Sequence, residues 1–343
     1  MAKPVTLKDI AQQLGLSIST IGRALTDDPQ ISAPTRARVK AAAAELGYVA
    51  HSAARAMRSG RSSLVGLIIP DIENAFYGTL SKALAEVVAA AGLQLVLAIT
   101  EDDPASEEKQ VRGLLEARAA GLVITASPRP TPMTVAMLAR SPSVQIIRRI
   151  SGLAAPWFGI DEAEALRLAT QHLLALGHER IGYVGASTAL STGRDRLAGY
   201  RAALAEAGYA ASPALVALGA PRAAFGAEAF ETLWQAPRRP TAIVTAGARL
   251  TVGALQAAAR AGVALPEELS LVGYGDAPWW RDGLTSIALP VREIALACGA
   301  FLVQHIRAAG GRPAGAPAGA HAVTFASTLT LGRSTAPPPH SEG

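Results

Sequence analysis

The sequence predicts an all-α N-terminal domain followed by an α/β body of two parallel-sheet lobes. Three observations lead there. Residues 1–61 carry nine Lys/Arg against four acids, and residues 62–343 carry 23 of each, so the whole net charge of +5 sits in the first sixth of the 343-residue chain. Apolar residues in the first fifty positions recur at helical spacing, interrupted by Gly and Ser. From Leu64 onward, continuous apolar runs alternate with amphipathic stretches, and the alternation restarts after Asp161. A strand–helix repeat of that kind builds parallel sheets covered on both faces. A basic module on a neutral body suits a polyanionic partner.

The elements follow in order. Thr6 with Asp9 three residues on has the pattern of a capping box, and Ile10, Ala11 and Leu14 continue one helical face. Gly15 stops this helix, and Ser17 can cap a second one containing Ile18, Ile21, Arg23 and Leu25. Two short helices across a tight Gly turn make a helix-turn-helix. A third helix opens at Ser32 and Pro34, lines one face with Val39, Ala42, Ala43 and Leu46, and ends at Gly47. In the body, LVGLIIP, LQLVLAIT and GLVITA read as strands between the helices ENAFYGTLSKALAEVVAAAG and EEKQVRGLLEARAAG. After Asp161 the strands are RIGYVGA, TAIVTAG and LSLVGYG, between helices starting at Glu164, Arg196 and Leu250. Open α/β sheets bind ligands beyond the carboxyl ends of their strands, so two facing lobes form a cleft.

Composition excludes several classes. The chain is 50% hydrophobic and 17% charged, too apolar for disorder. One cysteine, Cys298, rules out a disulfide scaffold and reads as a small core residue. The longest uncharged apolar stretch, Val87–Thr100, is split by Gly92 and is too short to span a bilayer. The first twenty residues show no secretory signal, so a cytoplasmic protein with no membrane partner is expected. There is no phosphate-cradling Gly loop, nucleophile elbow or His cluster. No enzyme, catalytic residue, metal or cofactor is expected, and His178 reads as a structural residue at a helix end.

The phrases VTLKDIAQQLGLS, T-I-x-R-x-L, ISAPTRARV and ELGY resemble the DNA-binding domain of the lactose-repressor (LacI/GalR) family of bacterial transcription factors. GLIIPDIENAFYGTL, HLLALGHERIGYVG, RLAGYRAAL, LTVGALQAA, SLVGYGDAPW and LGRST carry the resemblance through the body. It implies a sequence-specific transcriptional regulator, expected to be a repressor, that binds double-stranded operator DNA as a homodimer. The second helix would lie in the major groove, with Ile18, Ser19 and Arg23 at base-reading positions and Ser17 and Thr20 on phosphate; Thr6 joins this DNA-facing set. Arginine suits guanine because its fork donates to O6 and N7 together. Residues 51–62, HSAARAMRSGRS, resemble the family's hinge helix, with Met57 as the minor-groove wedge and Arg55, Arg58 and Arg61 on phosphates. Two departures are Gly22, where Ser is common, and Ala50-His51, where Pro-Asn is usual.

The resemblance also implies a periplasmic-binding-protein-like core. Its domains would be 1–50 for DNA, 51–62 for the hinge and 63–336 for effector binding and dimerisation, with 337–343 a disordered tail. Lobe 1 would span about 64–160 and 291–322, and lobe 2 about 161–290 and 323–336. The effector site would take in Asp71, Asn74, Phe76, Tyr77, Arg148, Thr192, Arg194, Arg196, Arg249, Asp276 and Trp279. Arg148 and Arg249 stand where sugar-binding relatives commonly place carboxylates. With Arg196 they would put three arginines in one cleft, and unpaired buried cations need counter-charge. The expected effector is therefore a small anion, a sugar acid such as gluconate, with a phosphorylated or neutral sugar as alternatives. Arg148 and Arg249 could instead pair with acids such as Asp71, Glu73, Asp161 or Asp276.

Overall fold

The structure, a computed structural model, describes residues 5–48, 62–275, 283–308 and 321–338. The expectations for Arg55, Met57, Arg58, Arg61, Asp276, Trp279 and the tail beyond 338 lie outside the described residues. The chain divides into two compact units, Met1–Ser59 and Gly60–Gly343.

The first unit holds α1 (Leu7–Leu14), α2 (Ile18–Ala24) and α3 (Ala33–Glu45). Asp9 closes the capping box, accepting from the Thr6 backbone N–H and hydroxyl, each at 2.7 Å. Gly15 ends α1 in the left-handed region at φ 66°, which a residue with a Cβ would enter only under strain. Ile10, Ile21, Ala24, Val39, Ala42 and Ala43 form the core. Burying each of the larger ones stabilises by about 1.5–3 kcal/mol.

The second unit contains two six-stranded sheets among the described residues. In lobe 1 the elements are β1 (Leu64–Ile69), α4 (Ala75–Ala90), β2 (Gln94–Ile99), α5 (Pro104–Glu116), β3 (Gly121–Ile124), α6 (Pro132–Ala139), β4 (Ser143–Ile146) and β5 (Trp157–Ile160). Lobe 2 has α7 (Glu162–Ala175), β6 (Ile181–Ala186), α8 (Ser191–Glu206), β7 (Val216–Gly219), α9 (Ala223–Trp234), β8 (Ala242–Ala246), α10 (Ala248–Arg260), β9 (Ser270–Tyr274) and β10 (Thr285–Ala288). The chain then returns through α11 (Val291–Ala308) and β11 (Ala322–Phe325) and ends in β12 (Thr328–Thr330). The first sheet runs β11-β5-β4-β3-β1-β2, all parallel. The second runs β12-β10-β9-β8-β6-β7, parallel except for the antiparallel β10–β12 pair.

Because β11 pairs with β5 from Ala322 to Phe325, the chain stays in lobe 1 through Phe325, three residues beyond the expected crossing at 322/323. The sequence pattern does not mark strands β4, β5, β7, β10, β11 and β12 or helices α6 and α9, each strand having four residues or fewer. Such pieces are too short to show a period. In α11, Ile294, Cys298 and Leu302 are buried in the lobe-1 core, so there the core reading holds, while Leu296 is exposed. In lobe 2, α9 and α10 touch backbone to backbone, and a Cβ at Gly253 would overlap the Ala223 carbonyl.

Candidate functional site

The exposed face of the first unit centres on the start of α2. Ser17 caps the helix, its hydroxyl accepting from Thr20 N at 3.1 Å and lying 2.8 Å from the hydroxyls of both Ser19 and Thr20. Ile18 is 51% exposed, an apolar side chain with no core to enter. Arg23 is exposed, and one turn on it donates from Nη1 to Gln30 Oε1 at 3.2 Å. The face therefore offers one apolar group, a cluster of hydroxyls and a guanidinium. These are the contacts a methyl group, phosphate oxygens and a guanine edge accept. Thr6 faces Asp9 through its capping box, so its hydroxyl is already engaged.

The cleft lies where the strand order of each sheet reverses, beside β1 and beside β6. At such a point neighbouring loops leave the sheet in opposite directions and open a crevice. A cavity of about 470 Å³ lies there, a size suited to a small molecule. The β1–α4 loop brings Asp71, Glu73 and Asn74 to it, and the first turn of α4 brings Phe76; α8 brings Thr192 and Arg196; and α10 brings Arg249. Asn74 caps α4 with its carbonyl oxygen, accepting from Phe76 N at 3.1 Å, so its amide nitrogen is left to donate. Phe76 meets Tyr77 edge to face at 5.1 Å, and Tyr77 is buried beneath it.

Each of the three arginines expected to crowd the cleft, Arg148, Arg196 and Arg249, already has a carboxylate, which overturns the premise of unpaired cations. Arg148 donates to both oxygens of Asp102, at 3.3 Å from Nη2, and to the Ala126 carbonyl at 2.9 Å. Burial opposes its charge, but Tyr77 and Asp102 beside it outweigh burial and raise its pKa. Arg196 lies in a bidentate pair with Glu162 at 2.7 and 2.8 Å. It also donates to the Ala246 carbonyl at 2.9 Å and stacks over the Tyr274 ring at 4.0 Å. Tyr274 in turn donates its hydroxyl to Glu162. Burial pushes the Tyr274 hydroxyl well above its usual range, so it stays protonated as that donor. Arg249 reaches across to lobe 1, donating to Glu73 Oε2 at 2.7 Å and facing Asp71 Oδ2 at 3.5 Å. Asp71, Glu73, Glu101 and Asp102 line the cavity together with Arg148, Arg196, Arg222 and Arg249, and Glu162 stands behind Arg196.

One expected residue falls elsewhere. Arg194 donates to the Thr188 carbonyl at 3.1 Å and is not among the cavity-lining residues. The reason is periodicity: Thr192 and Arg196 are four apart on α8 and share a face, whereas Arg194 points round the helix. The residues that sequence reasoning missed are Asp102, Glu162, Tyr274, Glu101 and Arg222. Glu162 carried the only readable signal, a carboxylate in the first turn of a helix. Two further contacts join the lobes: Arg222 donates to the Glu101 carbonyl at 3.3 Å, and Arg149 N donates to Ser191 Oγ at 3.0 Å.

Residues 6–51 match the model of bacterial regulatory proteins of the lacI family, and residues 170–335 match a periplasmic binding protein-like domain. The HTH-type transcriptional regulator GalR of Escherichia coli (strain K12) is 31% identical over 294 residues, covering 84% of this chain and 86% of that protein. The chain belongs to the LacI family. It is a DNA-binding transcriptional regulator. The ribose operon repressor of the same strain is 30% identical over 298 residues, covering 84% of this chain and 89% of that one. The fold matches that of a lac repressor dimer bound to operator and the anti-inducer ONPF, with a TM-score of 0.81 over 97% of this chain and 100% of that one, at 24% identity. The lacI-family match lies within the first compact unit and the periplasmic binding protein-like match within the second.

Proposed function

We propose that this LacI-family regulator is a cytoplasmic repressor whose affinity for operator DNA is set by a small polyhydroxylated effector in the cleft. Residues 1–50 read DNA, 51–62 form the hinge, and 63–336 bind effector and dimerise. The observation that carries the effector reading is the set of arginine–carboxylate pairs facing one cavity at the switch points of both sheets. The lining presents donors and acceptors side by side, as a ring of hydroxyls requires, and each of its arginines has an acid within 4.0 Å, which favours a neutral ligand. The names of the ribose operon repressor and of a structural relative in complex with cellobiose agree with a sugar.

A sugar acid such as gluconate is the second reading. It rests on Arg222, whose guanidinium is exposed and 4.0 Å from Glu101, and on Arg249, whose Nε makes no hydrogen bond. A carboxylate ligand would have to compete with Glu73 and Glu101 for these two groups. Calorimetry of the purified protein against neutral sugars, aldonates and sugar phosphates, with Arg196→Ala as control, separates the readings. Neutral sugars binding and releasing operator is the expected result; response to aldonates alone would reverse the preference.

A second copy of the chain supports the operator reading, because a symmetric dimer reads a pseudo-palindrome. The free edge strands β2 and β7 expose Leu97 and Leu218. Burying those side chains against a second copy removes both edges from water. Sedimentation equilibrium checks the dimer, with Leu97→Glu expected to shift it toward monomer.

A further inference from the structure

The turn between α2 and α3 is more ordered than a connection requires. Asp27 sits there at φ 55°, a left-handed conformation, and is fixed by Lys40 Nζ at 2.6 Å and Arg36 Nε at 3.8 Å. Arg36 also donates to the carbonyls of Asp28 and Ile31, at 3.2 and 2.8 Å. Two of the cations in the basic excess thus brace a turn. The turn presents Gln30, whose backbone N–H donates to Asp28 Oδ1 at 2.9 Å and whose side-chain oxygen receives Arg23 Nη1. No carboxylate pairs with Arg23 among the described residues.

We infer that Gln30 is a positioning residue that holds Arg23 ready to read a base. The inference rests on the proposal that α2 enters the groove and Arg23 contacts guanine. An exposed arginine samples many rotamers, and most aim its fork away from any one base edge. Binding must then order it, which costs affinity at that position. A single acceptor on Nη1 removes much of this freedom. It occupies one of the five guanidinium N–H groups, and guanine needs two, so the reading fork stays available. The acceptor is an amide, not a carboxylate, so Arg23 keeps its charge uncompensated for DNA. The braced turn matters because an acceptor on a mobile loop would fix nothing.

The test uses the full-length protein. Selection from randomised duplexes gives the wild-type base preference at each position, and the same selection is repeated with Arg23→Ala, Gln30→Ala and Gln30→Glu. Arg23→Ala should flatten preference at one position per half-site. Gln30→Ala should weaken preference at that same position by about threefold, the scale of ordering one side chain, with the other positions and the salt dependence unchanged. Gln30→Glu keeps the acceptor and should restore the preference while lowering affinity for every sequence. If Gln30→Ala leaves that position unchanged, or alters a different one, the inference is wrong. If Arg23→Ala flattens no position, the underlying reading of Arg23 fails instead. Circular dichroism should be the same for all four proteins, because both side chains lie outside the helical core.

Discussion

The N-terminal helices and the cleft both present arginines, but the two regions treat the charge in opposite ways. On α2, Arg23 meets a neutral amide and keeps its charge outward. In the cleft, Arg148, Arg196 and Arg249 are each met by a carboxylate. A surface that binds a polymer of phosphates gains from uncompensated charge, because counterion release drives association. A cavity that must exist before its ligand arrives cannot hold bare guanidiniums, because desolvated charge without a partner is too costly. Counting arginines therefore predicts a partner's charge on an exposed face and not inside a cleft.

The cleft side of this contrast breaks hardest at Glu162. Its side chain is 3% exposed and that of Arg196 is 12% exposed, so Glu162→Ala leaves a buried cation without its partner. Removing one member of such a pair costs about 3–5 kcal/mol. Denaturant unfolding should show that loss, together with loss of effector binding. Asp102→Ala should cost less, because the Asp102 side chain is 21% exposed where that of Glu162 is 3%.

Arg23→Ala probes the other side. It should weaken operator binding by about 1–3 kcal/mol while leaving the melting temperature unchanged. Fluorescence anisotropy on operator DNA and a thermal scan measure the two halves of that statement. A matching drop in melting temperature would mean that Arg23 supports the fold, and the contrast would collapse.

Glu107 is a buried acid with no hydrogen-bonded cation among the described residues. Ser127 satisfies it, through N–H at 2.6 Å and hydroxyl at 3.0 Å. Burial raises its pKa above the ordinary 4.5, with the Ser127 bonds offsetting part of the effect. A raised folded-state value gives stability that is full below the ordinary pKa and is lost as pH rises through the folded value. Wild type should therefore lose stability relative to Glu107→Gln between acid and neutral pH. A constant difference across that range would show that Ser127 fully replaces a cation.

The sequence shows what is local and hides what is distant. The caps Thr6 and Ser17 were readable because a cap and its N–H lie within three residues. The strand ends that carry the cleft were readable because the apolar runs stop there. The partner of Arg148 was not, since Asp102 lies 46 positions away. It also stands in a turn where Glu101 and Asp102 adopt φ 54° and 62°, and nothing in Glu-Asp-Asp compels that conformation. Glu162 was passed over because its chemistry depends on Tyr274, more than a hundred residues along the chain.

Arg249 tests a third way of treating charge, a pair shared between lobes. Its partners Asp71 and Glu73 stand in lobe 1, whereas Arg249 opens α10 in lobe 2. Glu73 is 70% exposed, so the pair contributes below about 1 kcal/mol and is screened by salt. Arg249→Gln should therefore hardly alter unfolding. The lobes are another matter, since a fraction of a kcal/mol shifts an equilibrium between conformers of similar energy. Raising the salt concentration from low to several times physiological should open the unliganded wild-type cleft, as seen by small-angle scattering or a fluorophore pair across the lobes. Arg249→Gln should already behave at low salt as wild type does at high salt, and effector affinity should follow the same pattern. Equal salt responses in the two proteins would assign the closing contact to Arg222 and Glu101 instead, whose own pair is longer and would give the weaker response.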